Sequence, residues 1–364
     1  MNEHEPDTLA AQAEALMAEA GKLREAGDSP DRLAAVLRAL GVYHSIHGTL
    51  GIGRQVLEEA AGIFASIGDP LSEAGTLHDL GQLLTGMDAP EEALATLDKA
   101  LERAETAGSL DAISVILHDR GQILALLDRV EEAYATYAKG AKLCADGGDD
   151  GSRYAFLQAW AELCLEEGDL KEATSLWRQA LAIGEEYDDT VRQAEALRAL
   201  GGLESEREAF GKARETFERA LSLATGNNDV EEQAGILLEL GEVLVELKDW
   251  KAAAKAFEEA RARAEAVDSH QGVGQAWLQL GNLSREAEEP QAARARYLEA
   301  IGHFAKAADE EGLAVARHRL GSVLVELGDP KAARSLFELA LTGYQVIGDP
   351  LGVAVVTRAM KNLR

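Results

Sequence analysis

Along most of the chain, apolar residues recur at spacings of three and four, with polar residues between them. This is the periodicity of amphipathic α-helices. The clearest copy is the last, "EGLAVARHRLGSVLVELGDPKAARSLFELALTGYQVIGDP". It predicts one helix, A, to about Glu326 and a second, B, from about Lys331. Gly328 suits the left-handed end of A, Asp329 the N-cap of B, and Pro330 its first turn. The same unit is written every forty residues without an insertion: Leu40-Gly41, Leu80-Gly81, Arg120-Gly121, Trp160-Ala161, Leu200-Gly201, Leu240-Gly241, Leu280-Gly281 and Leu320-Gly321.

Other columns keep the same register. Thirteen residues after the Leu position stands Gly53 and then alanine, as at Ala93 and Ala333. Four further on the side chain is large, from Leu57 through Tyr137 and Trp177 to Phe337, and three beyond that it is small again, as at Ala60 and Ala340. Small residues permit close helix crossing, so Gly321 is expected to face Ala333, with Phe337 filling the wedge towards the next repeat. Departures fall at Arg120, at Trp160-Ala161 and in the glycine-rich start of the first B helix, "GTLGIGRQVLEEA". Residues 1–30 read as an N-terminal cap in the B-helix phase, 31–349 as eight units and 350–364 as an A-like C-terminal cap, covers that a stacked array needs at its apolar ends.

The Leu-Gly pair followed by the Ala, aromatic, Ala series resembles the tetratricopeptide repeat. Its forty-residue period is similar to the long-helix branch that includes kinesin light chains, spindle-orientation adaptors and bacterial quorum-peptide receptors. Trp277, three residues before Leu280, sits where the family's leading tryptophan belongs. The resemblance implies an all-α, right-handed superhelix of antiparallel helix pairs. It also implies a non-enzymatic scaffold or adaptor that binds a protein or peptide segment in a concave groove lined by the A helices. The alternative it offers is a peptide-responsive sensor that changes shape and controls an effector.

By that resemblance each A helix presents to the groove its residues at five and two before the Leu position, at the one before it, and at two, five and six after it. The first stripes are then His78, Asp79, Gln82 and His118, Asp119, Gln122. Next come Gln158 and Glu162, Arg198, then Leu238, Glu242 and Val245. The last are Leu278, Gln279, Asn282 and Arg285, followed by His318, Arg319, Ser322 and Val325. The two His-Asp pairs invite a metal-dependent phosphohydrolase reading. Their equivalent places on successive helices, about 8–10 Å apart, argue instead for recognition groups, because ligands so spaced do not converge on a metal at about 2.1 Å. Side-chain amides at Gln82, Gln122 and Asn282 carry both donor and acceptor and so match a peptide backbone.

Composition narrows the reading. The net charge of −28 lies wholly in residues 1–280, with 25 Lys+Arg against 53 Asp+Glu, while residues 281–364 hold 11 of each. Nucleic acid is excluded as a natural partner by such acidity, and a partner with a basic segment is expected. Cys144 and Cys164 lack paired metal or redox spacing and read as reduced core residues. No apolar run spans a membrane, the acidic start is unlike a secretory signal, and a cytoplasmic location follows as the expectation. Phosphate-loop, H-E-x-x-H and G-x-S-x-G motifs are absent, so neither a cofactor nor catalysis is expected.

Overall fold

The computed structural model describes residues 5–363; residues 1–4 of the predicted N-terminal cap and residue 364 of the C-terminal one lie outside the described residues. The chain forms two compact units, residues 1–176 and 177–364. The first contains α1 (Glu5–Ala26), α2 (Pro30–Ile46), α3 (Leu50–Ile67), α4 (Pro70–Gly86), α5 (Pro90–Ala107), α6 (Leu110–Leu126), α7 (Val130–Gly147) and α8 (Asp150–Glu166). The division falls within α9 (Leu170–Glu186). The second contains α10 (Thr190–Glu206), α11 (Phe210–Gly226), α12 (Val230–Glu246), α13 (Trp250–Ala266), α14 (His270–Glu286), α15 (Pro290–Ala307), α16 (Glu310–Glu326), α17 (Pro330–Ile347) and α18 (Pro350–Lys361). Among the described residues every element is a helix, and none is long and apolar enough to cross a membrane.

Within each unit, consecutive helices pack as pairs, α2 on α3 and α4 on α5 in the first, α14 on α15 and α16 on α17 in the second. Even-numbered helices are the A helices, odd-numbered ones the B helices. The turns between them keep a cadence of twenty residues: a left-handed backbone conformation occurs at Gly48, Gly68, Asp88 and every twentieth residue to Gly348. The expected Gly-Asp-Pro chemistry is present. Gly328 has φ +79°, the Asp329 carboxylate accepts from the Ala332 N–H, and Pro330 opens α17. Asp69 caps α4 and Asp349 caps α18 in the same way.

Gly321 faces Phe337 of its own repeat: a Cβ placed on Gly321 would come within 2.6 Å of Phe337 Cε1. The same relation holds for Gly201 with Phe217, Gly241 with Phe257 and Gly281 with Tyr297. The ring needs a gap the width of a side chain, and the glycine of the Leu-Gly pair supplies it. These four rings are buried and hold each pair together. The glycine-rich first B helix is continuous as α3. Gly53 is required there because an added Cβ would sit 2.7 Å from Leu83 Cδ1 and 3.2 Å from the Gly41 carbonyl oxygen.

The other two departures are accommodated by different contacts. Arg120, in place of leucine, donates from Nε to Asp98 Oδ1 at 2.7 Å and from Nη1 to Thr136 Oγ1 at 2.7 Å. Trp160 lies half-buried beside Tyr134, with ring centroids 6.3 Å apart. Both cysteines are buried free thiols, and burial raises the pKa of each.

Candidate functional site

The A helices of the first unit are joined by a staggered ladder. Arg38 Nε donates to Asp79 Oδ2 at 2.5 Å, and His78 Nε2 lies 2.7 Å from Asp119 Oδ2. Each rung links the residue two before the Leu position of one repeat to the residue one before it in the next. His78 therefore belongs with Asp119, not with its sequence neighbour Asp79. Gln82 Nε2 adds a second bond to the same Asp119 oxygen at 2.9 Å. Burial alone would raise the Asp119 carboxyl, but its interactions with His118, His78 and Gln82 outweigh that and hold it well below the usual carboxylate range. Among the described residues no group of three or more His, Cys, Asp or Glu side chains is placed to hold a metal ion.

The rung is missing where its acceptor is missing. His118 would reach towards residue 159, an alanine, and its ring packs instead against Phe156, with centroids 5.6 Å apart. Gln158 donates to Glu162 of its own helix at 3.1 Å. Gln122 is exposed and lines a cleft of about 370 Å³ together with Gln82, Asp119 and the apolar Leu97, Ile123 and Leu126.

The second unit repeats the rung once. Arg198 Nε donates to Glu239 Oε1 at 2.8 Å and its Nη1 to Glu232 Oε2 at 2.8 Å. Burial pushes the Glu239 carboxyl up, with Arg198 opposing it. Farther along, Tyr297 Oη donates to Asn282 Oδ1, Asn282 Nδ2 to Gln279 Oε1, and Gln279 Nε2 to Glu242 Oε1, at 2.8, 2.9 and 2.6 Å. Asn282 is thus oriented by the chain itself. Burial raises the Glu242 carboxyl.

Arg285 pairs with Glu326 at 2.7 Å. Leu238 and Val245 are half-buried against the core, as is Leu278, whereas Val325 is exposed. Ser322 Oγ donates to the His318 carbonyl of its own helix. His318 is half-buried, and burial, then Arg319 and Arg285, lower its pKa. Arg319 is exposed and, among the described residues, has no carboxylate within ion-pair distance. It lines a cleft of about 410 Å³ with Asn282, Arg285 and Trp250.

Sequence reasoning missed Arg38, Glu232 and Glu326. Arg38 was readable, since it occupies the register position of His78 one period earlier. The ladder as a whole has a sequence signal, a donor followed 41 residues later by a carboxylate, at 38/79, 78/119 and 198/239.

Helix pairs of fixed length with glycine-on-ring packing define a repeat protein. Residues 152–225, 232–306 and 275–345 match one sequence description of the tetratricopeptide repeat, and residues 74–107 match another. The chain belongs to the tetratricopeptide repeat family. No curated protein matches it.

Among solved structures, it is similar to the apo form of the quorum sensor NprR from B. thuringiensis (TM-score 0.59, 14% identity, 93% of this chain and 99% of that one). It is similar to a signal transduction ATPase with numerous domains, carrying a tetratricopeptide repeat sensor, from Pyrococcus horikoshii (0.65, 13%, 97% of this chain and 55% of that one). It is also similar to a Rap protein complexed with competence and sporulation factor (0.51, 16%, 91% and 97%). At these identities the likeness is one of fold.

Proposed function

We propose that the chain is a non-enzymatic, cytoplasmic scaffold or adaptor that binds a protein or peptide segment along its A-helix face. The observation that carries this reading is the cleft of the first unit, where Gln82 and the exposed Gln122 stand beside an apolar floor while Asp119 is already held by His78. The Gln122 amide beside apolar side chains, with the Gln82 carbonyl next to it, suits an extended backbone. Of the carboxylates that favour a basic partner, Asp79, Asp119 and Glu239 are met by Arg38, His78 and Arg198. Within the second unit, the basic portion of the partner lies opposite Glu242, and its acidic or apolar portion near Arg319.

NprR is a quorum sensor and the Pyrococcus horikoshii protein carries a repeat sensor, which favours as second reading a chain that changes shape on binding and controls an effector. Capture of native partners on immobilised protein tests the first reading. The comparison is wild type against Gln82→Ala/Gln122→Ala, a variant that leaves the Arg38–Asp79 and His78–Asp119 rungs in place. A partner retained equally by both proteins rules out the A-helix face.

A further inference from the structure

The residues six after the Leu position, which end the A helices of the first three repeats, are Ile46, Gly86 and Leu126. The two large ones are unusually bare for aliphatic side chains, 74% and 66% exposed. Between them Gly86 leaves open space: a Cβ there meets nothing within 4 Å, and the backbone is not left-handed. A cleft of about 360 Å³ opens at this point, lined by Ile46, Leu50, Leu83 and Gly86. The cleft of about 370 Å³ one repeat on continues it with Thr85, Ile123 and Leu126, and Gln82 belongs to both. The hydroxyls of Ser45 and Thr85 donate back to the carbonyls of Gly41 and Gly81, each at 3.0 Å, so both side chains spend their donors within their own helices.

Charge complementarity selects the occupant. The only charged residue lining the first cleft is Asp79, and the only one lining the second is Asp119. Arg38 neutralises the first, and His78 with Gln82 saturates the second. A ligand cation would have to displace a partner already in place, whereas an apolar group covers exposed Ile46 and Leu126 without stranding any charge.

Resting on the reading that the A-helix face binds a protein segment, we propose that Gly86 is the floor of a seat for a bulky, uncharged apolar side chain of that partner, with a second such side chain seated one repeat on. Packed helices lie about 8–10 Å apart and an extended chain advances about 3.3 Å per residue, so the two anchors stand about three residues apart.

The probe is the peptide acetyl-Leu-Gly-Gly-Leu-amide, with acetyl-Lys-Gly-Gly-Lys-amide and acetyl-Glu-Gly-Gly-Glu-amide beside it, titrated into methyl-labelled full-length protein. The leucine peptide is expected to shift the Ile46 and Leu126 methyl resonances. Gly86→Leu, which fills the open position, should weaken that binding at least about tenfold, and Gly86→Ala should leave it within about twofold. Circular dichroism melting confirms that both variants fold. Equal affinity of the lysine peptide, undiminished binding by Gly86→Leu, or absence of shifts at Ile46 and Leu126 overturns the seat. If a captured native partner responds to Gln82→Ala/Gln122→Ala but ignores Gly86→Leu, the seat is wrong and the A-helix face stands. If it ignores both, the face itself is wrong.

Discussion

The meaning of His78 and Asp119 comes from which atoms they meet. With 14% and 21% of their side-chain surface exposed, the two form a shielded rung. A hydrogen bond to a charged group contributes about 1.5–3 kcal/mol, against about 0–1 kcal/mol for an exposed ion pair. His78→Ala is therefore expected to cost about 1–3 kcal/mol in urea unfolding at neutral pH. The sign with pH follows from the depressed Asp119 carboxyl. A folded-state pKa below the unfolded value of about 3.9 adds stability that is present above that pH and lost as pH falls towards the lower folded value. Asp119→Asn should remove that part of the acid dependence, and an unchanged slope of stability between about pH 5 and pH 3 would contradict the rung. None of this was legible in "LHDLGQLL" alone. The Leu-Gly register put His78 and His118 on equivalent sites, but the offset by which neighbouring helices stagger is a property of packing, absent from the pattern of any single helix.

Helices and turns were far more legible, because each boundary is spelled in local chemistry. Asp69, Asp329 and Asp349 cap, prolines follow, and glycines take the left-handed turn in "GDP". Where glycine is replaced, the cadence holds at a cost: Glu208, Lys248 and Ala308 adopt φ +58°, +61° and +54°. A β-carbon in that conformation costs about 1–2 kcal/mol, partly offset by the entropy glycine loses on folding. Ala308→Gly should accordingly raise stability by up to about 1 kcal/mol, and Gly328→Ala should lower it by a similar amount. Helix interiors give the opposite contrast. Gly202→Ala adds a methyl where nothing lies within 4 Å and should stabilise α10 by about 0.5–1 kcal/mol. Gly321→Ala collides with Phe337 and should cost about 1–3 kcal/mol. Thermal melts of the four variants decide both comparisons, and destabilisation by Gly202→Ala or tolerance of Gly321→Ala would contradict the packing.

At the level of the full chain, stability in a tandem array sums over neighbouring pairs. Removal of residues 321–364 deletes α17, α18 and the end of α16, and it should leave a folded, less stable protein, read as a retained helical circular dichroism spectrum with a lower midpoint. Complete loss of helix would mean that stability does not accumulate pair by pair. The twenty-residue spacing of the turns also bears on inheritance. A recombination joining residue 108 to residue 149 would discard forty residues and still place a left-handed glycine before an N-capping aspartate, as Gly148 and Asp149 do now. Such a shortened gene encodes an intact turn, but His78 would then look across at Ala159, with no carboxylate to receive it. Turns thus leave lengthening and shortening of the gene open in whole repeats, while each such change sets a new residue opposite His78.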